Sequence, residues 1–118
     1  PMKCIYPPIK PGTRDWQDYF LDALSRTPYH YSNAGIWTYI GGFYVLALIK
    51  RKKLAEAETQ LRKLAEANLK QPIYAEWLNG KTGKPGISGG GSSDGNQAWN
   101  AGMYILAYES VKAKRCLI

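Results

Sequence analysis

The hydrophobic positions of this 118-residue chain fall into helical patterns separated by polar, proline-rich and glycine-rich stretches. Residues 36–50 are apolar on nearly every side, which is typical of an inner, buried helix. Residues 52–68 carry leucine and alanine on one stripe with charges opposite, the pattern of an outer helix with one buried face. No segment alternates with the period of two that a strand requires. The pattern therefore predicts an all-α fold.

Two further helices are predicted, over residues 15–25 and 98–114. Thr13 or Asp15 can cap the first of these helices, and Thr27-Pro28 ends it. The apolar side of the second is formed by Trp99, Met103, Leu106, Ala107 and Ser110. Gly41 and Gly42 lie inside the apolar segment 36–50, where they cost helix propensity and indicate close packing or an approaching ligand. The order of inner helix, outer helix, long loop and inner helix predicts helical hairpins.

The rest of the chain divides simply around these helices. Residues 1–13 are rich in proline and predict an extended strap, because proline disfavours both helices and strand pairing. Residues 14–114 hold the helical hairpins, interrupted over 79–96 by a long loop rich in glycine and serine. We interpret 1–118 as a single segment of one domain.

The composition excludes several classes of function. The net charge of +7 lies mainly on residues 50–70, which indicates the solvated face of one helix rather than a nucleic-acid groove. The apolar run of about 14 residues is too short to cross a membrane. Two distant cysteines, Cys4 and Cys116, with one histidine form no metal site, and no cofactor pattern is present. Free thiols favour a cytoplasmic protein.

Two distant segments, 29–37 and 74–83, concentrate aromatic and polar side chains beside predicted helices. Aromatic faces stack on the CH surfaces of sugars, while histidine, amide and carboxylate groups bond to hydroxyls. This mixture predicts a carbohydrate site. Glu76 is the carboxylate of the second segment, and it is the acidic residue that we expect to take part in chemistry.

The order of these segments resembles the closing part of the six-hairpin glycosidases. The likeness is carried by residues 6–12, 27–31, 34–37, 41–44, 76–83 and 97–103. It is closest to amylo-α-1,6-glucosidases, the glycogen-debranching enzymes, and to neutral invertase-like enzymes. The sequence departs from the usual pattern at Ser32, where His is frequent, at Ala34, where Gly is usual, and at Thr38, where Pro is usual.

The resemblance implies a C-terminal segment of a catalytic domain, with helical hairpins forming about one third of an (α/α)6 toroid. By the same likeness Glu76 would be the general base of an inverting site that acts on an oligosaccharide, an α-glucan or a related α-glucoside. The residues expected to contact the sugar are His30, Asn33, Trp37, Trp77, Gln97 and Trp99.

No convincing catalytic acid accompanies Glu76. Asp15, Asp18 and Asp22 fall on the predicted first helix, and Glu109 lies late in the last one, where a solvated position is typical. We therefore expect this chain to be inactive alone. It would need the N-terminal half of a toroid or form a homo-oligomer. The alternative is a non-catalytic carbohydrate-binding or helical interaction module left by truncation.

Overall fold

The computed structural model describes residues 2–17, 25–71, 73–86 and 95–118. Within these ranges the chain forms three α-helices: α1 (Thr38–Lys50), α2 (Leu54–Leu69) and α3 (Ala98–Lys112). The same ranges contain isolated β-bridges but no strand. Each helix contacts the other two, and α1 packs most extensively. The all-α prediction is confirmed for the described part of the chain.

α1 and α2 are the predicted inner and outer helices, whereas α3, also predicted to be an inner helix, buries only Asn100, Ala107 and Ser110. α1 is buried along most of its length, and its buried residues are Thr38, Gly41, Gly42, Val45, Leu46, Leu48 and Ile49. α2 buries Ala57, Leu61 and Leu64 and exposes its charged side, as its one-sided pattern predicted. The main core joins α1 and α2 to Ala107 of α3. Burial of these apolar side chains is the main force that holds the helices together.

The beginning of α1 differs from the prediction because of a tertiary contact. Ile36 was expected to be helical, but its N–H and C=O both pair with the main chain of Leu78, at N···O distances of 2.8 Å. These bonds hold residue 36 in an extended conformation, so the helix begins two residues later, at Thr38.

The boundary between α1 and α2 is set by the way α1 ends. Lys52 adopts a left-handed backbone with φ of 58°, and the N–H of Lys53 donates to the carbonyl of Leu48 at 2.9 Å. This is a Schellman termination, which satisfies the last carbonyls of the helix. Lys52 and Lys53 therefore cannot be the first residues of α2. The helix begins at Leu54 rather than at residue 52. Lys114, with φ of 53°, ends α3 in the same way.

The helix predicted over residues 15–25 lies mostly outside the described residues, since 18–24 are not among them. The described ends of that range are not helical: Asp15 and Ser25 lie in turns. Thr13 uses its hydroxyl and carbonyl in a turn. Its Oγ1 donates to the carbonyl of Lys10 at 2.7 Å, and its carbonyl accepts from the N–H of Trp16 at 3.0 Å. Thr13 therefore closes a turn here.

The N-terminal strap lies against the segment that leads into α1. The N–H of Cys4 donates to the carbonyl of Gly35 at 3.0 Å. Ile9 exchanges two hydrogen bonds of 2.8 Å with the side-chain amide of Asn33, through its N–H and its carbonyl. Cys4 and Cys116 are both free thiols, and partial burial raises the pKa of the Cys4 thiol above its ordinary value.

The adjacent glycines of α1 allow close helix packing. A Cβ on Gly41 would lie 3.1 Å from Leu64 Cδ1 of α2, and one on Gly42 would lie 2.9 Å from the Met103 carbonyl oxygen of α3. Of the two explanations drawn from the sequence, close packing is therefore the one observed.

We expect Gly42→Ala to destabilise the chain by about 1–3 kcal/mol, because the α3 main chain must move to admit the methyl group. Gly102→Ala is the matched control, since a Cβ there meets no atom within 4 Å. The control should gain up to about 1 kcal/mol through helix propensity. Urea unfolding of both variants measures the difference. A stabilising effect of Gly42→Ala would contradict the close packing.

Candidate active site

A row of isolated β-bridges gathers three distant parts of the chain at one end of the helices. Lys3 pairs with Ile36, Ile36 with Leu78, and Leu78 with Pro85. The N–H of Gly80 also donates to the carbonyl of Tyr29 at 2.8 Å. The strap, the segment before α1 and the segment after α2 are therefore joined through their main chains.

The start of α3 meets the same region. The N–H of Gln97 donates to the carbonyl of Tyr74 at 2.9 Å. The side chain of Asn100 bonds both to Tyr39 in the first turn of α1 and to the carbonyl of Ala75. Segments 29–37, 76–79 and 97–99 therefore share one end of the helices.

An aromatic cluster surrounds Trp77. The ring centroid of His30 lies 5.5 Å from that of Trp77, and the ring of Tyr31 meets it edge-on at 5.9 Å. Tyr31 also contacts Trp37 at 4.9 Å, in an edge-to-face arrangement. Such pairs contribute about 0.5–1.5 kcal/mol each beyond the area they bury. The cluster fixes the positions of His30 and Trp37, two of the predicted sugar-contacting residues.

Trp77 itself is the buried centre of this cluster, with 0% of its surface exposed. Its indole packs directly against the main chain of Gly86, where any Cβ would overlap the ring. Among the described residues no acceptor lies within hydrogen-bond reach of its Nε1–H. Trp77 presents no open face in this structure, so here it supports the rings around it.

The loop between residues 29 and 34 has an unusual backbone. Tyr29, Tyr31 and Ala34 all have positive φ angles, of 70°, 39° and 69°. This left-handed region is unfavourable for residues other than glycine, and such residues cluster at functional sites. It also gives a physical reason why glycine would suit position 34, where this chain has Ala34.

Asn33 and Trp37 use their polar groups within the protein. Asn33 is 5% exposed, and its amide bonds to Ile9 and donates to the carbonyl of Ser25 at 3.0 Å. The Nε1–H of Trp37 donates to the carbonyl of Tyr31 at 3.2 Å. Asn33 therefore anchors the strap to the loop, while the half-buried ring of Trp37 lies at the edge of the cluster.

Glu76 lies between the aromatic cluster and the start of α3, and it is half-buried. Its neighbours in the chain, Ala75 and Trp77, are both fully buried, which fixes the main chain on either side. Glu76 therefore keeps some accessible surface while its backbone stays in place. That arrangement suits a group that must exchange a proton with a water molecule.

Gln97 and Trp99 lie at the opening turn of α3. Gln97 is the N-cap residue and is half-buried, and Trp99 is 49% exposed. Spacing grouped Trp99 with the apolar side of α3, yet Trp99 is exposed, whereas Ala107 on that side is fully buried. Asn100 takes the inward position instead, so the indole of Trp99 stays accessible to solvent.

A surface depression of about 220 Å³ opens beside His30 and Trp77. Its far wall is a tight turn in which Asn79 Oδ1 accepts from the N–H groups of Lys81 and Thr82, at 2.9 Å each. Thr82 and Lys84 of the same segment also line the depression. The depression therefore combines the accessible ring of His30 with polar groups, and Asn79 shapes it from within the turn.

Asn100 and Tyr31 belong to this site but do not stand out in the sequence. Asn100 is 1% exposed and bonds to two other elements. The available signal was its spacing: Asn100 lies seven residues before Ala107 on the buried face of α3. A polar residue at such a position needs partners inside the protein.

Within the described residues, the other candidate carboxylates give Glu76 no catalytic partner. Asp15 and Glu109 are both exposed, and Glu109 forms a 4.0 Å ion pair with Lys112. Asp18 and Asp22 lie outside the described residues. The described ranges contain no cluster of acidic, histidine or cysteine side chains suited to a metal ion. None of the helices described is long and apolar enough to cross a membrane.

Comparison with known proteins gives one match. The family described as "Alkaline and neutral invertase" matches residues 1–113, nearly the whole chain. No curated protein and no solved structure matches the chain. The match supports the invertase part of the resemblance seen in the sequence and lends no support to the debranching-enzyme part.

Proposed function

Because the chain belongs to the alkaline and neutral invertase family, we propose that it is part of a glycoside hydrolase that cleaves sucrose, with Glu76 as the general base. The family implies that its three described helices belong to an (α/α)6 toroid. The observation that carries the proposal is the position of Glu76, half-buried between an aromatic cluster and the start of α3.

The proposed reaction is hydrolysis with inversion at the anomeric carbon of the glucosyl unit. Glu76 accepts a proton from a water molecule, whose oxygen bonds to the anomeric carbon. The bond from that carbon to the bridging oxygen breaks, and a carboxylic acid on the opposite side protonates the bridging oxygen as the other sugar leaves. Inverting pairs of carboxyl groups stand about 6.5–9.5 Å apart, which leaves room for the water.

The catalytic acid is proposed to come from another part of the toroid. The two described candidates, Asp15 and Glu109, are both exposed, and Glu109 is paired with Lys112. The chain would then supply one half of the site: the base, the rings beside it and the polar rim. A cytoplasmic location, expected from the free thiols Cys4 and Cys116, is part of the same proposal.

The sugar-contacting residues divide by their exposure. His30, Trp37, Gln97 and Trp99 retain accessible surface at the common end of α1 and α3, so we propose direct contact with the sugar for these four. Asn33 and Trp77 are buried, with exposed fractions of 5% and 0%. We propose that they act indirectly, Asn33 by holding the strap and Trp77 by supporting the ring of His30.

The substrate is tested by comparing two sugars. A complete enzyme carrying this segment should release glucose and fructose from sucrose and release no glucose from an α-1,6-branched dextrin. If the enzyme released glucose from the dextrin but did not cleave sucrose, the proposed substrate would be wrong and an α-glucan would take its place. The isolated 118-residue chain should release nothing from either sugar. Hydrolysis by the isolated chain would mean that the catalytic acid lies within it. If complete proteins carrying this segment bound sugar but hydrolysed none, the segment would be a carbohydrate-binding module.

The exposed apolar side chains indicate a covered face in the working protein. On α3, Ile105 and Tyr108 are 60% and 47% exposed, and Phe43 of α1 is 50% exposed. Apolar surface of this kind is normally buried against a partner. We propose that further helices of the toroid cover it, and that a second copy does so when the chain is isolated.

We therefore expect the isolated chain to self-associate in sedimentation experiments and Ile105→Glu to shift it toward the monomer. Leu69→Glu is the matched control. Leu69 is also an exposed aliphatic residue, 85% exposed, but it lies at the end of α2. A wild-type chain that stays monomeric at all concentrations would contradict the expectation.

A further inference from the structure

One buried amide joins the three elements around Glu76. Asn100 lies in the first turn of α3 and is 1% exposed. Its Oδ1 accepts from the N–H of Tyr39 in the first turn of α1, at 3.0 Å. Its Nδ2 donates to the carbonyl of Ala75 at 2.6 Å and, more weakly, to the carbonyl of Glu76 at 3.4 Å.

The two Nδ2 contacts fix the backbone of Glu76 on both sides. The carbonyl of Ala75 belongs to the peptide group before the Glu76 Cα, and the carbonyl of Glu76 belongs to the peptide group after it. A side chain that holds both groups restrains the φ and ψ angles of Glu76. It thereby sets the direction in which the Cα–Cβ bond of Glu76 leaves the main chain.

The contact with α1 gives Asn100 a fixed reference point. Trp37 is the N-cap of α1 and its side chain makes no cap hydrogen bond. The N–H of Tyr39 is one of the first-turn donors that a helix leaves without an internal partner. Asn100 Oδ1 supplies that partner from α3, so the same amide is anchored to the helix core while it holds residues 75 and 76.

We propose that Asn100 is the positioning residue for Glu76. This inference rests on the proposed role of Glu76 as the general base. A general base must lie within hydrogen-bond reach of the proton that it removes, and a displacement of about 1 Å can cost about 10²-fold in rate. Asn100 acts on turnover through the geometry of Glu76 and does not touch the substrate.

The test replaces the Nδ2 donor while keeping the shape of the side chain. In a complete enzyme, Asn100→Asp keeps an oxygen for the N–H of Tyr39 but turns the other oxygen toward the carbonyl of Ala75. We expect kcat to fall by about 10–100-fold with KM changed by less than about threefold. Asn100→Ser has a smaller side chain that keeps one donor, and it should lower kcat by less. It is the variant to measure if Asn100→Asp does not fold.

The control is Ser110→Ala, a second buried polar residue of α3. Its hydroxyl accepts from the N–H of Leu117 at 3.3 Å, at the opposite end of the helix. The control removes a partly buried hydrogen bond without changing the surroundings of Glu76. It should leave kcat and KM at their wild-type values when all enzymes are assayed well below their unfolding temperatures.

A double variant separates positioning from a general structural effect. In an enzyme already carrying Glu76→Gln, Asn100→Asp should lower the residual kcat by less than about threefold. The reason is that Asn100 acts through the Glu76 carboxylate, which this background lacks. Equal losses in both backgrounds, or an unchanged kcat for Asn100→Asp alone, would overturn the inference. Full activity of Glu76→Gln by itself would instead overturn the proposed base, which is a distinct result.

Discussion

Replacing Glu76 with glutamine in a complete enzyme carrying this segment is expected to lower kcat on sucrose by about 10²–10⁴-fold. Glutamine keeps the size and the hydrogen-bonding oxygen of the side chain, but it cannot take a proton from water. The exposed rings and polar groups around it would remain, so sucrose binding should change little. Steady-state kinetics and calorimetric titration measure the two effects separately.

The matched control for this prediction is Glu109→Gln. Glu109 is an exposed glutamate of α3 paired with Lys112, and loss of such a surface pair has little effect. The control should keep wild-type kcat and KM. Normal turnover by Glu76→Gln would mean that another group activates the water, and a large loss in both variants would point to a general effect of removing charge.

Trp77→Ala is expected to destabilise the folded chain by about 3–5 kcal/mol. The indole is fully buried, contacts His30 and Tyr31, and packs against Gly86, so alanine would leave a large cavity. A loss of this size is a large part of the about 5–15 kcal/mol that stabilises a typical domain. Denaturant unfolding followed by circular dichroism measures it.

Trp99→Ala provides the comparison, because it removes the same side chain from a position that is 49% exposed. Its effect on the free energy of unfolding should be within about 1 kcal/mol. Sucrose binding by a complete enzyme should weaken in this variant through loss of the indole face. Equal destabilisation by the two substitutions would contradict the buried and exposed positions assigned to the two rings.

The existence and character of the described helices follow from the sequence. The all-apolar segment became the buried α1, and the one-sided segment became the outer α2, because burial of apolar surface selects the same faces in any compact arrangement. The ends of the helices were displaced by contacts that periodicity does not encode. Ile36 pairs with Leu78, and Lys52 turns the chain back at the end of α1.

The composition of the candidate site was also predictable, since its aromatic and polar residues lie in two recognisable segments. The roles of its members were not. Trp77 and Trp99 look alike in the sequence, and both lie beside polar residues. One is fully buried and the other is half exposed, because the row of β-bridges folds residues 78–86 back so that Gly86 covers the indole of Trp77.

The sequence by itself determined the helical class, the inner α1 and the outer α2, and the residues of the candidate site. Only the tertiary structure decided which of those residues remain accessible and what holds Glu76 in place. Asn100 lies 24 residues from Glu76 in the chain and 61 from Tyr39, yet its amide bonds to both. The physical reason is that helical periodicity is a local property of the chain. The partner of a buried polar group is chosen by packing between distant segments.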